Sequence, residues 1–108
     1  MKEIKAIIQP FMLDKVLDAL HQYVEIPGCI VSRIEAHGRT TGMEIDERTA
    51  QAGKVKLEIV VPEKMVEQVV KLIQTNAHTG NRGDGKIFIV ETVDAVAIGI
   101  GERGEKAL

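Results

Sequence analysis

Aromatic residues and cysteine are scarce in this chain of 108 residues, which has no tryptophan, 3% aromatic residues and one cysteine. The single cysteine, Cys29, excludes an internal disulfide, and a lone cysteine of this kind is usually a small buried hydrophobic residue. An excess of basic residues is also missing, since the formal net charge is -2. Without a basic patch or aromatic stacking residues, the sequence gives no support for nucleic-acid binding.

Long apolar stretches are absent as well. No run approaches the ~18 residues of a membrane-spanning helix, and the N-terminal MKEIKAIIQPF has no apolar stretch of signal-peptide length. We therefore expect a cytoplasmic protein. Apolar residues nevertheless make up 44% of the chain, so Ile, Val, Leu and Ala must fill the core of one domain that spans residues 1–108.

The first half of the sequence predicts a strand, a helix and a second strand. Residues 4–10 are rich in isoleucine and end in a proline, which favours a short strand closed by a breaker. Residues 13–24 place apolar side chains at helical spacing, and Pro27 lies just beyond that helix. Residues 29–38 alternate well enough for the second strand.

The second half repeats this order. Residues 54–62 alternate as a strand, and Pro62 opens a second helix with an apolar stripe. Residues 86–100 read as a last strand with a break near Asp94. The order β-α-β, loop, β-α-β predicts an α+β fold of the ferredoxin-like βαββαβ type, with a four-stranded antiparallel sheet and both helices on one face. We expect the uncovered face to pack against other copies of the chain.

Two segments break the regular pattern. Residues 39–53 are polar and lack periodicity, and loops of this length inside small domains are usually functional, although a hairpin tip without a role is the alternative. Residues 78–90 read HTGNRGDGKIFIV. Their glycines would let backbone N–H groups approach an anion, and Lys86 would add a positive charge. By itself GDGK lacks the full spacing of a phosphate loop, so a plain Asp-Gly turn competes with this interpretation.

Taken together, several segments resemble the P-II signalling proteins. They are MKEIKAIIQPFMLDKVLDAL, the GR at 38–39, KVKLEIVVP, TGNRGDGKIF and GERGEKAL, and they keep their order along nearly the whole chain. The resemblance implies a cytoplasmic homotrimer whose intersubunit clefts bind ATP or ADP, with 2-oxoglutarate joining through Mg²⁺-ATP. It also implies that residues 39–53 form the T-loop, which engages a partner protein such as a membrane transporter.

The resemblance further implies two groups of ligand-binding residues. The nucleotide group comprises Ile7, Gly38, Arg39, Val60, Thr79, Gly83, Asp84, Gly85 and Lys86. The effector group comprises Thr40, Lys54 and Arg82. No catalytic residue is expected, because nothing places a nucleophile and a base, or a second acid, in one cleft.

Departures from the family pattern concern the same ligands. Ala97 and Gly99 stand where two phosphate-binding arginines are expected, and each lost charge-assisted hydrogen bond is worth ~1.5–3 kcal/mol. Thr40 replaces a glutamine that helps to hold Mg²⁺ and 2-oxoglutarate. The T-loop is about five residues shorter than the pattern, and Tyr23 is the only tyrosine, so uridylylation of the loop is not expected.

These departures leave the effector open. Divergent relatives respond to AMP or ADP, to bicarbonate, or to metals, and a regulator that binds a metal or an anion without nucleotide is the main alternative. His37 and Glu44 are the candidate metal ligands, but no two histidines share a ligand-type spacing, so we predict no metal site. A trimeric scaffold that has lost ligand binding is a third interpretation.

Overall fold

The computed structural model describes residues 1–37 and 53–108, which form four strands and two helices. The strands are β1 (Lys2–Ile8), β2 (Ile30–Glu35), β3 (Gly53–Val61) and β4 (Gly85–Glu91). The helices are α1 (Leu13–Tyr23) and α2 (Val66–Ala77), and each is preceded by a 3-10 turn that ends at a methionine. The predicted elements are therefore present; the last strand is much shorter than predicted, and the ends of the others differ by a few residues.

The core lies between the two helices and one face of the sheet. Alternate residues of β1 and β3 are buried there, as the period of two predicts, and the apolar stripes of α1 and α2 cover them. The residues that this core buries most completely are Ile4, Ala6, Val16, Leu20, Val55, Leu57, Ile59, Val61, Val69 and Ile73. No aromatic side chain belongs to that set, in keeping with the composition.

Strand order confirms the ferredoxin-like fold. The sheet runs β2-β3-β1-β4, and each neighbouring pair is antiparallel. β1 and β3 are thus central, while β2 and β4 are the edges. This order brings the end of β1 next to the start of β4, since Ile8 pairs with Gly85. The residues between α2 and β4 consequently lie beside the turn that follows β1.

The last strand is shorter than the sequence predicts. We expected a strand over residues 86–100, but β4 ends at Glu91. The reason is its neighbour: Glu91 pairs with Lys2 at the first position of β1, and the Thr92 N–H makes one further bond of 3.3 Å to the Met1 carbonyl. Beyond that point β1 offers no backbone for pairing, so apolar residues alone do not extend the ladder.

A small hairpin replaces the rest of the predicted strand. Val96 and Arg103 form an isolated antiparallel bridge. The Asp94 carboxylate fastens the base of the hairpin, because it accepts hydrogen bonds from the Arg103 guanidinium and from the N–H groups of Ala95 and Gly104. The bonds from Arg103 lower the pKa of Asp94, so its carboxylate stays charged.

The face of the sheet away from the helices is mixed in character. Its middle carries ion pairs, Lys5–Glu3 at 3.5 Å and Lys56–Glu58 at 3.3 Å. Apolar side chains are exposed on the edge strands, among them Phe88 on β4. The packing of this face against other copies stays a prediction. Within residues 1–37 and 53–108, no helix is long and apolar enough to cross a membrane.

Candidate functional site

The loop between α2 and β4, residues 78–86, is organised around one carboxylate. Asp84 Oδ2 accepts hydrogen bonds from the N–H groups of Thr79, at 2.9 Å, and Gly80, at 3.2 Å. The Thr79 hydroxyl donates to Asp84 Oδ1 and accepts from the Asn81 N–H at 3.1 Å. Thr79 lowers the pKa of Asp84, first through the hydrogen bond from its hydroxyl and second through the bond from its N–H.

Asp84 therefore shapes the 78–86 loop. Its two oxygens are occupied by the loop's own donors, and His78 Nδ1 lies 3.7 Å from Oδ2. A carboxylate so engaged is a poor ligand for a phosphate, which carries the same sign of charge. The sequence placed Asp84 in the nucleotide group, and its contacts favour a role in holding Thr79 and Gly80 in position.

Gly85 makes the close approach of the loop to β1 feasible. Its φ is +114°, a region that residues with a side chain rarely adopt. An added Cβ would overlap the Ile7 carbonyl oxygen and lie 2.8 Å from the Ile7 carbonyl carbon. Only glycine fits here, so the backbone of β4 can start directly against the end of β1.

The Gly83 carbonyl is held by two side chains from the sheet. Gln9 Nε2, just after β1, donates to it at 2.7 Å, and Lys54 Nζ, at the start of β3, donates at 2.8 Å. The Lys54 side chain is largely buried, with 9% of the residue exposed. We predicted Lys54 as an effector-binding residue, and its ammonium group contacts the loop itself.

A cleft of about 380 Å³ opens between α2 and the sheet at this end of the molecule. Four residues of the predicted nucleotide group contribute to its lining, namely Ile7, Asp84, Gly85 and Lys86. The remaining lining residues are Ile8 and Ile87 of the sheet and Val70, Ile73, Gln74, Ala77 and His78 of α2 and its C-cap. The cleft thus combines an apolar wall with a glycine-rich loop, and Lys86 is the lysine among its lining residues. Such a combination can bind a small anionic molecule with an apolar part.

The other predicted site residues either lie elsewhere in the described structure or fall outside it. Thr79 and Gly83 belong to the loop but do not line the cleft, while Arg82 is exposed on the same loop. Val60 lies on β3, opposite Glu3 of β1 and away from the cleft. The residues that lie outside the described part of the chain are Gly38, Arg39, Thr40 and Glu44, together with all of the predicted T-loop except Gly53.

His37 follows β2 and lies near one carboxylate. Its Nε2 is 3.5 Å from Glu35 Oε1, and both side chains are exposed. Among the residues that the structure describes, no group of three or more His, Cys, Asp or Glu side chains could hold a metal ion. Glu44, the other candidate ligand, lies outside the described residues.

Three residues of this region were missed by the sequence analysis. Gln74 and His78 line the cleft from α2, and Gln9 bonds to the loop. The helical period of α2 indicates only that Gln74 is polar, not what it faces. Gln9 carries no signal at all, since its contact depends on the pairing of Ile8 with Gly85.

The C-terminal hairpin bears the two positions at which arginines are expected. Ala97 bonds through its backbone to Glu102 at 2.9 Å, and Gly99 lies in the hairpin turn. Arg103, on the same hairpin, donates to Asp94 through both Nε and a terminal nitrogen. Its guanidinium therefore fastens the hairpin in the single chain.

Comparison with known proteins gives one consistent result. The family model described as nitrogen regulatory protein P-II matches residues 1–102. A nitrogen regulatory protein P-II of Azospirillum brasilense is 42% identical, one of Rhodospirillum rubrum is 41% identical, and one of Haemophilus influenzae is 39% identical. Each alignment covers 100% of both chains and spans 113 positions, five more than the 108 residues here, which agrees in size with the shortened loop. These names describe regulatory proteins and not enzymes.

Proposed function

The chain belongs to the P-II family of nitrogen regulatory proteins, and from that premise we propose that it binds an adenine nucleotide beside the 78–86 loop. In this proposal the bound nucleotide changes the shape of residues 39–53, which engage or release a partner protein. The protein is then a ligand-controlled switch in signal transduction, and a ligand acts by stabilising one of two loop arrangements.

One observation supports nucleotide binding above the others: the chain's own hydrogen bonds hold the 78–86 loop beside the cleft. Hydrogen bonds to Asp84 and to the Gly83 carbonyl fix it beside a cleft, and Lys86 lies on the rim. A preformed loop loses little conformational entropy when it binds. Lys86 would supply charge to a phosphate, while the apolar wall that includes Ile7 and Val70 would accept a less polar part of the ligand.

We further propose that the site is completed in a homotrimer. Apolar side chains are exposed on β4 and in the segment that follows it, with Val93 95% and Ile98 100% exposed, and an exposed apolar surface of this kind favours contact with another protein surface. Contact between copies would bury them. It would also bring a second chain, which could carry residues such as Val60, to each cleft. Light scattering coupled to size exclusion measures this directly, and a monomer at micromolar concentration would contradict the proposal.

The preference among ATP, ADP and AMP depends on how many cationic side chains are available to bind the phosphates. Ala97 and Gly99 supply none, and Arg103 is bound to Asp94. We therefore propose that ATP, with its greater charge, gains less over ADP and AMP here than a site with two arginines would give it. Mg²⁺ and 2-oxoglutarate have weak support, because Thr40 is not the expected glutamine and Lys54 is bonded to Gly83.

We propose that the partner is a protein, such as a membrane transporter, that accepts residues 39–53. This part of the proposal rests on the family and on the length and polarity of that segment, whose composition suits a recognition loop. Affinity capture with the full chain and with a chain in which residues 42–50 are replaced by a short glycine-serine linker separates loop-dependent partners from others.

The first experiment is calorimetric titration with ATP, ADP and AMP, each with and without Mg²⁺, 2-oxoglutarate and bicarbonate. We expect at least one nucleotide to bind, and Lys86→Ala to weaken it roughly 10- to 150-fold, since a hydrogen bond to a charged group is worth ~1.5–3 kcal/mol. Lys64→Ala is the matched control, because Lys64 is exposed and does not line the cleft. If every nucleotide fails at millimolar concentration while bicarbonate or a metal ion binds, the alternative regulator is correct.

A further inference from the structure

The Gly83 carbonyl is the meeting point of three segments of the chain. It belongs to the 78–86 loop, while its donors Gln9 and Lys54 come from the end of β1 and the start of β3. The two bonds, at 2.7 and 2.8 Å, have good geometry for N–H donors. One carbonyl with two lone pairs can accept both, so the arrangement saturates it.

Lys54 is an unusual choice for a purely structural bond. The residue is 9% exposed, and within the part of the chain that the structure describes no carboxylate forms an ion pair with it. Burial of an ammonium group is costly unless it is bonded, and a neutral carbonyl offsets less of that cost than a carboxylate would. The bond from Lys54 to the Gly83 carbonyl, at 2.8 Å, is therefore one that the burial of Lys54 makes costly to lose.

The orientation of the Gly83 carbonyl also fixes the orientation of the Asp84 N–H group. The chain has no cis peptide among its described residues, so the C=O of Gly83 and the N–H of Asp84 point in opposite directions across one peptide plane. Because Gln9 and Lys54 hold the carbonyl on their side, the Asp84 N–H is turned away from them. Asp84, Gly85 and Lys86 all contribute to the cleft lining.

We propose that Gln9 and Lys54 are positioning residues that orient the 78–86 loop for ligand binding by clamping the Gly83 carbonyl. This inference rests on the proposed function for the identity of the ligand. The clamp also links the loop to the β2–β3 pair, because Lys54 pairs with Ile34 at the end of that ladder. The strands that flank residues 38–52 in sequence are thereby joined to the ligand loop by one side chain.

The test uses the full chain and two substitutions that remove one donor each, Gln9→Ala and Lys54→Met. Lys56→Met is the control for the second, since Lys56 lies two residues further on β3 and pairs with Glu58 at 3.3 Å. Gln22→Ala, at an exposed position of α1, is the control for the first. Circular dichroism and urea midpoints verify that all four variants fold.

The first readout needs no ligand. Amide hydrogen exchange of residues 79–86 should become at least about tenfold faster in both clamp variants and stay unchanged in both controls, because loss of a bond raises the population of open loop conformations. Gln9→Met keeps a side chain of similar length without a donor, so it should exchange as fast as Gln9→Ala. Equal exchange rates in the clamp variants and the unsubstituted chain would overturn the clamp itself.

The second readout is calorimetric affinity for whichever of ATP, ADP and AMP binds the unsubstituted chain. We expect about tenfold weaker binding in both clamp variants and a similar loss in Gln9→Met. Faster exchange with unchanged affinity would refute the positioning role. If no nucleotide binds the unsubstituted chain, the proposed function fails, and inorganic phosphate as the titrant then decides whether the clamp positions the loop for an anion.

Discussion

Gly85→Ala should be among the most damaging single-methyl additions in this protein. An alanine Cβ would overlap the Ile7 carbonyl oxygen and lie 2.8 Å from its carbon, roughly 1 Å inside van der Waals contact with that carbon. The backbone at φ +114° adds strain of about 1–3 kcal/mol for a residue with a side chain. Relief of the overlap by moving β1 or β4 costs about another 1–3 kcal/mol. The sum, about 2–6 kcal/mol, is a large part of the ~5–15 kcal/mol that stabilises a typical domain.

Urea unfolding followed by circular dichroism measures this effect, at one protein concentration because assembly changes apparent stability. With a slope of ~2 kcal/mol per molar, the middle of the range for a small domain, the midpoint should fall by roughly 1–3 M. Gly28→Ala is the matched control: Gly28 has open space around its Cβ position and no positive φ, so its midpoint should stay or rise slightly. Equal midpoints for the two variants would show that the start of β4 tolerates a side chain and that the close approach to Ile7 is not a constraint.

Two further predictions concern the core and the loop. Ile73→Ala removes a fully buried side chain of α2 and should lower the free energy of unfolding by about 2–5 kcal/mol in the same urea assay. Glu67→Ala, on the exposed side of that helix, is the control and should change the free energy of unfolding little. A small loss for Ile73→Ala would contradict the core assignment. The pKa of Asp84 is lowered in the folded state, so its contribution to stability is present at neutral pH and is lost as the pH falls from the unfolded value, roughly 4, through the folded one. Asp84→Asn should therefore lower the urea midpoint at pH 7 more than at pH 3, and an equal loss at both would refute the ionic role of this carboxylate.

The sequence predicts well those features that depend on local periodicity. The alternation of Val55, Leu57 and Ile59 on β3 fixes which face is buried, and the spacing in α2 brings Val69 and Ile73 to the core. The order of elements then leaves few ways to form one sheet, which explains why the ferredoxin-like topology is predictable. These features require no knowledge of which strands pair residue by residue.

Features that depend on register are not predictable in the same way. β4 ends at Glu91 because β1 begins at Lys2, although the sequence beyond Glu91 is as apolar as the strand itself. The contact of Gln9 with Gly83 likewise follows from the pairing of Ile8 with Gly85. Each depends on where one segment stops relative to another that is distant in sequence.

The same reasoning separates the roles of the two lysines near the site. Sequence alone treats Lys54 and Lys86 as equivalent cations, one for the effector and one for the nucleotide. The structure places Lys54 in a buried bond to the loop and Lys86 on the lining of the cleft. A cation that is already bonded to a carbonyl acts on a ligand through the geometry of the loop, whereas a cation on the cleft wall can act through its charge. Salt should therefore screen the contribution of the exposed Lys86 more strongly than that of the buried Lys54, because ions shield exposed charges far better than buried bonds.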